Sequence, residues 1–212
     1  FKLPDNMTTL EGALIEPLAV GFHAAIQGDA HLGQTAVVMG AGCIGLVSIL
    51  ALKARGVNNI YVVDIIEKRL EKARELGATG IINGREKNAV EEILNLTKQR
   101  GVDLVIETAG TDITSQQAIQ MACKGATVVF VGYTSSGDVT LPMGMALDKE
   151  ITFKTIFRYR HIYPLAIEAV SSGKISVKEI VSNEFMLNDI QNAMDTSVRD
   201  KANVVKAVVK IC

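Results

Sequence analysis

The sequence has 212 residues, 48% of them hydrophobic and 21% charged, with a formal net charge of −1. This is the balance of an ordinary globular domain, and it argues against a nucleic-acid partner, which needs a basic face. No uninterrupted apolar run approaches the roughly 20 residues needed to cross a bilayer. Three widely spaced cysteines, Cys43, Cys123 and Cys212, form neither a disulfide framework nor a C-x-x-C site, which fits a reducing, cytoplasmic setting.

In chain order, FKLPDNMTTLEGALIEP opens without Met and reads like the middle of a longer sequence. GALIEPLAVGF (Gly12–Phe22) sets one carboxylate, Glu16, in an almost wholly apolar run, followed at once by Pro17. Burying an ionised carboxylate is costly unless something compensates it. From the residues alone, Glu16 reads as a first-turn glutamate at a helix N-terminus, beside a proline at the first helical position. His23 follows on the same apolar helix, and His31 falls in a turn.

TAVVMG (Thr35–Gly40) reads as a buried strand, and CIGLVSILALKAR (Cys43–Arg55) as a helix stopped by Gly56. IYVVD (Ile60–Asp64) is a strand, EKRLEKAREL (Glu67–Leu76) an amphipathic helix and GII (Gly80–Ile82) a short strand. AVEEILNLTK (Ala89–Lys98) is a helix, and VDLVIETAG (Val102–Gly110) contains a strand. SQQAIQMACK (Ser115–Lys124) is a helix ending in Cys123 and Lys124, and ATVVFVG (Ala126–Gly132) is a strand. Cys43 and Cys123 read as buried small hydrophobes rather than metal ligands.

Strand and helix alternate at least four times, and the strands are apolar on both faces. This predicts an α/β fold: a doubly wound parallel sheet with right-handed crossovers. After Phe157 the pattern turns irregular. YPLAIEAVSSGK (Tyr163–Lys174) is a helix, EIVSNEF (Glu179–Phe185) a short strand, LNDIQNAMDTSVR (Leu187–Arg199) a helix and NVVKAVVKI (Asn203–Ile211) a closing strand. They read as a tail that packs onto another domain.

VVMGAGCIGL holds Gly40, Gly42 and Gly45 in the spacing G-x-G-x-x-G, between a strand and a helix, with Asp64 closing the next strand. That context is the fingerprint of a dinucleotide site. Gly40 permits a tight turn, Gly42 lets a pyrophosphate approach the backbone, and Gly45 lets helix and strand pack closely. The helix N-terminus offers its N–H groups and positive dipole end to the phosphates. Asp64 accepts from both ribose hydroxyls and repels a 2′-phosphate, which favours NAD over NADP; the bland alternative is that it caps the following helix. Arg69 either lies along the adenosine or is a solvated helix charge, and Lys68 keeps the cofactor choice open. A methyltransferase that binds S-adenosylmethionine is the rival for this pattern.

DNMTTLEGALIEPLAVGFHA, VVMGAGCIGL, FVGY and FRYRHIYPLAIEAVSSGKI together resemble the coenzyme-binding half of the zinc-dependent medium-chain dehydrogenases. The run Phe157-Arg158-Tyr159, followed by Tyr163-Pro164, resembles the sorbitol/xylitol (polyol) branch. The resemblance implies a Rossmann-type NAD-binding domain over 16–156. It makes 1–15 the end of a preceding catalytic domain and 157–212 a C-terminal α+β segment that returns to it.

In that frame Gly40, Gly42 and Gly45 hold the pyrophosphate, with Ile44 beside the cofactor. Asp64 and Arg69 bind the adenosine end. Val131, Gly132 and Tyr133, with Ile156, Phe157 and Arg158, line the nicotinamide. Arg158 and Tyr159 reach the substrate hydroxyls. Thr108-Ala109-Gly110 resembles a turn near the cofactor; a plain loop is the equal alternative. Glu16 faces a catalytic Zn2+, directly or through its water, and so takes part in catalysis and substrate binding. The other zinc ligands would come from the preceding domain, because His23, His31 and His161 form no cluster with a cysteine and are assigned to structure. The implied reaction is oxidation of a secondary alcohol of a polyol by NAD in a homodimer or homotetramer. Alternatives are an isolated NAD-binding module that is inactive alone, and a threonine or butanediol dehydrogenase.

Overall fold

The structure is a computed structural model that describes residues 1–135 and 137–211. Cys212 lies outside the described residues. The first element is a helix, α1 (Thr9–Gln27). It is followed by β1 (Thr35–Met39), α2 (Cys43–Ala54), β2 (Asn59–Asp64), α3 (Glu67–Glu75), β3 (Gly80–Asn83) and α4 (Ala89–Leu96). Then come β4 (Val102–Glu107), α5 (Asp112–Met121), β5 (Ala122–Phe130), α6 (Met143–Asp148) and β6 (Thr152–Thr155). The last elements are α7 (Tyr163–Ser171), β7 (Asn183–Met186), α8 (Ile190–Arg199) and β8 (Ala207–Lys210).

Six strands form one parallel sheet in the order β3-β2-β1-β4-β5-β6. The predicted doubly wound sheet is therefore present. The strand period of two explains its layers. Along β1, Ala36 and Val38 enter a core shared with α1, α2, α3 and α7, while Val37 and Met39 enter a second core with α4 and α5. In β4, Leu104 and Ile106 take the first side and Val105 the second, all with no exposed surface. The order in which strands are added reverses between β1 and β4, which opens a crevice at their carboxyl ends.

Two sequence expectations are corrected. Glu16 and Pro17 are not at a helix start, because α1 begins seven residues earlier with a capping box: the Thr8 hydroxyl accepts from the Glu11 N–H, and the Glu11 carboxylate accepts from the Thr8 N–H at 2.7 Å. Pro17 lies inside α1, where it offers no N–H to the Ala13 carbonyl, and Ala13 is exposed. Cys123 and Lys124 do not end a helix: Ala122 is already extended, and β5 runs from there to Phe130. The boundary placed between residues 15 and 16 falls within α1.

The tail after α7 is a β7–α8–β8 unit whose two strands pair in parallel in a sheet of their own. Leu187, Ile190, Met194 and Val198 recur at helical spacing along its outer side and are 43–65% exposed. A two-stranded sheet is marginal alone. Here it leans on α3, where Lys68 donates to the Asn203 side chain and Arg69 to the Lys201 carbonyl. No helix among the described residues is long and apolar enough to cross a membrane.

The α1 cap gives a pH prediction. Thr8 and, less strongly, Lys178 hold the Glu11 carboxyl down to about 2, below its ordinary 4.5. A group depressed in the folded state stabilises fully above its unfolded value and loses that effect as pH falls through its folded one. The difference in urea midpoint between wild type and Glu11→Gln is expected to be constant above pH 4.5 and to shrink toward pH about 2. A pH-independent difference would remove Glu11 from the acid response.

Candidate cofactor site

The turn from β1 to α2 follows directly from its glycines. Gly40 adopts φ +93°, a conformation that side-chain-bearing residues rarely take, and its N–H donates to the Val63 carbonyl at 2.7 Å. A Cβ on Gly45 would sit 1.9 Å from the Gly40 carbonyl oxygen, so α2 can approach the loop this closely only without a side chain there. Gly42, by contrast, has ordinary extended geometry, and the nearest atom to a Cβ built on it is Arg69 Nη1 at 4.0 Å. Its backbone faces open space.

No side chain caps the N-terminus of α2, whereas Thr8, Asn88 and Thr111 cap α1, α4 and α5. The first N–H groups of α2 and the positive end of its dipole lie at the glycine loop that ends β1, a terminus of the kind that seats anions.

Asp64 ends β2 beside this loop. Its Oδ2 accepts from the Ala41 N–H at 2.6 Å, and its Oδ1 from the Ile65 and Ile66 N–H groups at 2.7 and 2.9 Å. It thus ties the glycine loop to the start of α3. Asp64 does not cap α3, whose N-cap Ile66 has no side-chain cap bond, and with three of its about four acceptor sites used, about one is left for a ribose hydroxyl. Arg69 is not a freely solvated charge: it donates to the Lys201 carbonyl, its Nε is buried without a partner, and it borders a cavity of about 300 Å³ shared with Lys68, Ser182 and Asn203.

Across the reversal point, the ends of β4, β5 and β6 gather the other sequence-selected residues. Val131 and Gly132 follow β5, and both their N–H groups donate to the Glu107 carbonyl, at 2.8 and 3.0 Å. Ile156 donates to the Phe130 carbonyl at 3.1 Å, which brings 156–158 alongside. Tyr133 and Phe157 are 88% and 75% exposed. Arg158 lies 5.3 Å from the centre of the Phe157 ring, at the positive φ of 57°. Tyr159 is half-buried, with its hydroxyl 3.3 Å from that of Tyr163. Burial and that hydroxyl contact, with Glu16 nearby, push Tyr163 up to about 12. Ile44, the second residue of α2, is half-buried.

Glu16 is exposed on α1 while both its neighbours are buried, so within this chain its charge needs no compensating partner. Among the described residues no group of three or more His, Cys, Asp or Glu is placed to hold a metal. A single exposed carboxylate does not by itself make a zinc centre, which takes about three protein ligands. His23 is 4% exposed on α1, and burial lowers its pKa, which keeps it neutral. His31 and His161 are exposed.

Sequence reasoning missed Glu107. It has no exposed surface. Its Oε1 accepts from the Ala109 and Gly110 N–H groups at 2.9 and 3.0 Å and from the Thr114 hydroxyl at 2.8 Å. Burial raises its pKa against the pull of those donors. The signal was available: one carboxylate ends the apolar run VDLVIE, as Glu16 interrupts GALIEPLAV.

The zinc-binding dehydrogenase family matches residues 43–172. This chain belongs to that family. It is 43% identical over its whole length to an uncharacterised zinc-type alcohol dehydrogenase-like protein, YdjJ, of Escherichia coli K12, and covers 60% of that protein. It is 39% identical over 99% of its length to a sorbitol dehydrogenase of Bacillus subtilis, covering 59% of it. The crystal structure of 2R,3R-butanediol dehydrogenase from Bacillus subtilis superposes with a TM-score of 0.92 at 33% identity, over all of this chain and 60% of that one. The chain thus spans about three fifths of the length of these relatives. The resemblance to zinc dehydrogenases drawn from the motifs is borne out.

Proposed function

We propose that this chain is the cofactor-binding part of an NAD-dependent dehydrogenase acting on a secondary alcohol of a polyol. The observation that carries the reading is the pairing of an uncapped α2 N-terminus behind Gly42 with the Asp64 carboxylate at the end of β2. The first seats a pyrophosphate and the second a ribose hydroxyl. When bound, the dinucleotide supplies a hydride acceptor for the alcohol carbon. Gly40, Gly42, Ile44 and Gly45 bind its phosphates, and Asp64 and Arg69 its adenosine end. Val131, Gly132, Tyr133, Ile156, Phe157 and Arg158 orient the nicotinamide. Arg158 and Tyr159 hydrogen-bond hydroxyls next to the reacting carbon, so an alcohol without them leaves donors unpaired.

Residues 1–15 and 157–212 belong, in this reading, with a further catalytic domain, and the exposed apolar side of α8 is consistent with that. Glu16 is the one contribution this chain makes to a zinc ion in the intact enzyme, and no step of the reading passes through it. The outer edge of β6 is open for a homodimer or homotetramer. The unpaired thiols Cys43 and Cys123 suit a cytoplasmic setting.

Titration of this chain with NADH and with S-adenosylmethionine tests the core of the reading. Saturable binding of NADH alone, without turnover, is expected; preference for S-adenosylmethionine overturns it. For the intact enzyme loaded with zinc, sorbitol and xylitol are expected to turn over faster than butanediol or threonine. The opposite order selects the other branch of the family.

A further inference from the structure

We propose that Glu107 is a positioning residue for the nicotinamide half of the cofactor: its buried side chain sets the backbone of the turn 108–110, against which the turn 131–133 interlocks, opposite Asp64. The inference rests on the cofactor reading above.

Asp64 and Glu107 are counterparts. Each is the last residue of a strand that flanks β1, and each side chain collects the N–H groups of the turn that follows it. They differ in exposure. Asp64 is half-buried and opens on the crevice, whereas Glu107 is sealed beneath it. Glu107 therefore reaches no ligand itself and acts through the backbone it holds.

Its bonds join three segments. The side chain takes Ala109, Gly110 and, from α5, Thr114, while the main-chain carbonyl takes Val131 and Gly132. Next to it, the Thr108 hydroxyl lies 2.8 Å from the Met39 carbonyl and 3.2 Å from that of Gly40, which links the same turn to the glycine loop. The two turns interlock without clearance. A Cβ on Gly132 would lie 2.3 Å from the Gly110 nitrogen and 2.7 Å from Glu107 Oε2, and one on Gly110 would lie 2.6 Å from the Tyr133 carbonyl oxygen. Loss of the carboxyl leaves the Ala109 and Gly110 N–H groups without the acceptor that fixes them, so the turn is free to shift.

ADP-ribose separates positioning from general support of the fold, because it carries every part of the cofactor except the nicotinamide. In Glu107→Ala, affinity for NADH is expected to fall about tenfold or more while affinity for ADP-ribose stays within about twofold. Glu107→Gln keeps the shape and one acceptor oxygen, and should recover most of the NADH affinity. Equal losses for both ligands, or unchanged NADH affinity in a variant that urea unfolding shows to be folded, overturn the proposal. If the alanine variant does not fold, the glutamine variant decides: a Gln variant with NADH and ADP-ribose weakened alike overturns the proposal, and one that binds both like wild type, beside an unfolded Ala variant, reduces Glu107 to a folding role and overturns it too. Failure of wild type to bind either ligand instead refutes the cofactor reading beneath it.

Discussion

Asp64→Ala is expected to weaken NADH binding by about tenfold or more. A hydrogen bond to a charged group contributes about 1.5–3 kcal/mol, and the acceptor site left on Asp64 holds one ribose hydroxyl. The substitution also strips the Ala41, Ile65 and Ile66 N–H groups of their acceptor, which loosens the loop that presents Gly42. Removing the negative charge admits a 2′-phosphate, so the ratio of NADH to NADPH affinity should fall further than NADH affinity alone indicates. Fluorescence titration with both reduced dinucleotides reads the effect. An NADH affinity within about twofold of wild type would mean that the carboxylate does not touch the sugar.

The second large effect separates two glycines of one motif. Gly45→Ala places a methyl group 1.9 Å from the Gly40 carbonyl oxygen and 2.9 Å from its carbon, both backbone atoms with no rotamer to yield. Helix α2 must retreat from β1, at a cost of about 3 kcal/mol or more, with NADH binding lost alongside. Gly42→Ala meets nothing closer than 4.0 Å, at an ordinary negative φ of −71°. Its stability should stay within about 1 kcal/mol of wild type, because the change chiefly restricts the unfolded chain. Its NADH affinity should nonetheless fall about tenfold or more, since the methyl group occupies the path of the pyrophosphate. Urea unfolding beside the same titration tests the contrast. If Gly45→Ala unfolds at the wild-type midpoint, the close approach is not required; if Gly42→Ala binds normally, the pyrophosphate lies elsewhere.

Much of this site was legible from the residues. Strands buried on both faces write continuous apolar runs, so β1, β2 and β4 announced themselves and the parallel sheet followed. The glycine spacing lies within one turn and one helix start, so local sequence carries it whole. The tail was less legible: the pair β7 and β8 is bridged by α8 within a sheet of its own, and nothing local says which sheet a short strand joins. The α5 end was misjudged because Ala122, Cys123 and Lys124 are compatible with helix, whereas Ala122 already pairs with Val102 of β4, and the pairing resumes at Thr127 after a register shift.

The two lone carboxylates mark the division. Sequence by itself determined that Glu16 and Glu107 each interrupt or end an apolar run, and that Asp64 ends the strand that follows the glycine loop and its helix. Tertiary structure alone decided which acid is buried. A helix turns about 100° per residue, so Glu16 reaches the one exposed stripe of α1 while Ile15 and Pro17 on either side do not. A central strand has no such escape: with helices on both faces of the sheet, the last residue of β4 is enclosed whichever way it points, and its charge must find donors in the turns beside it.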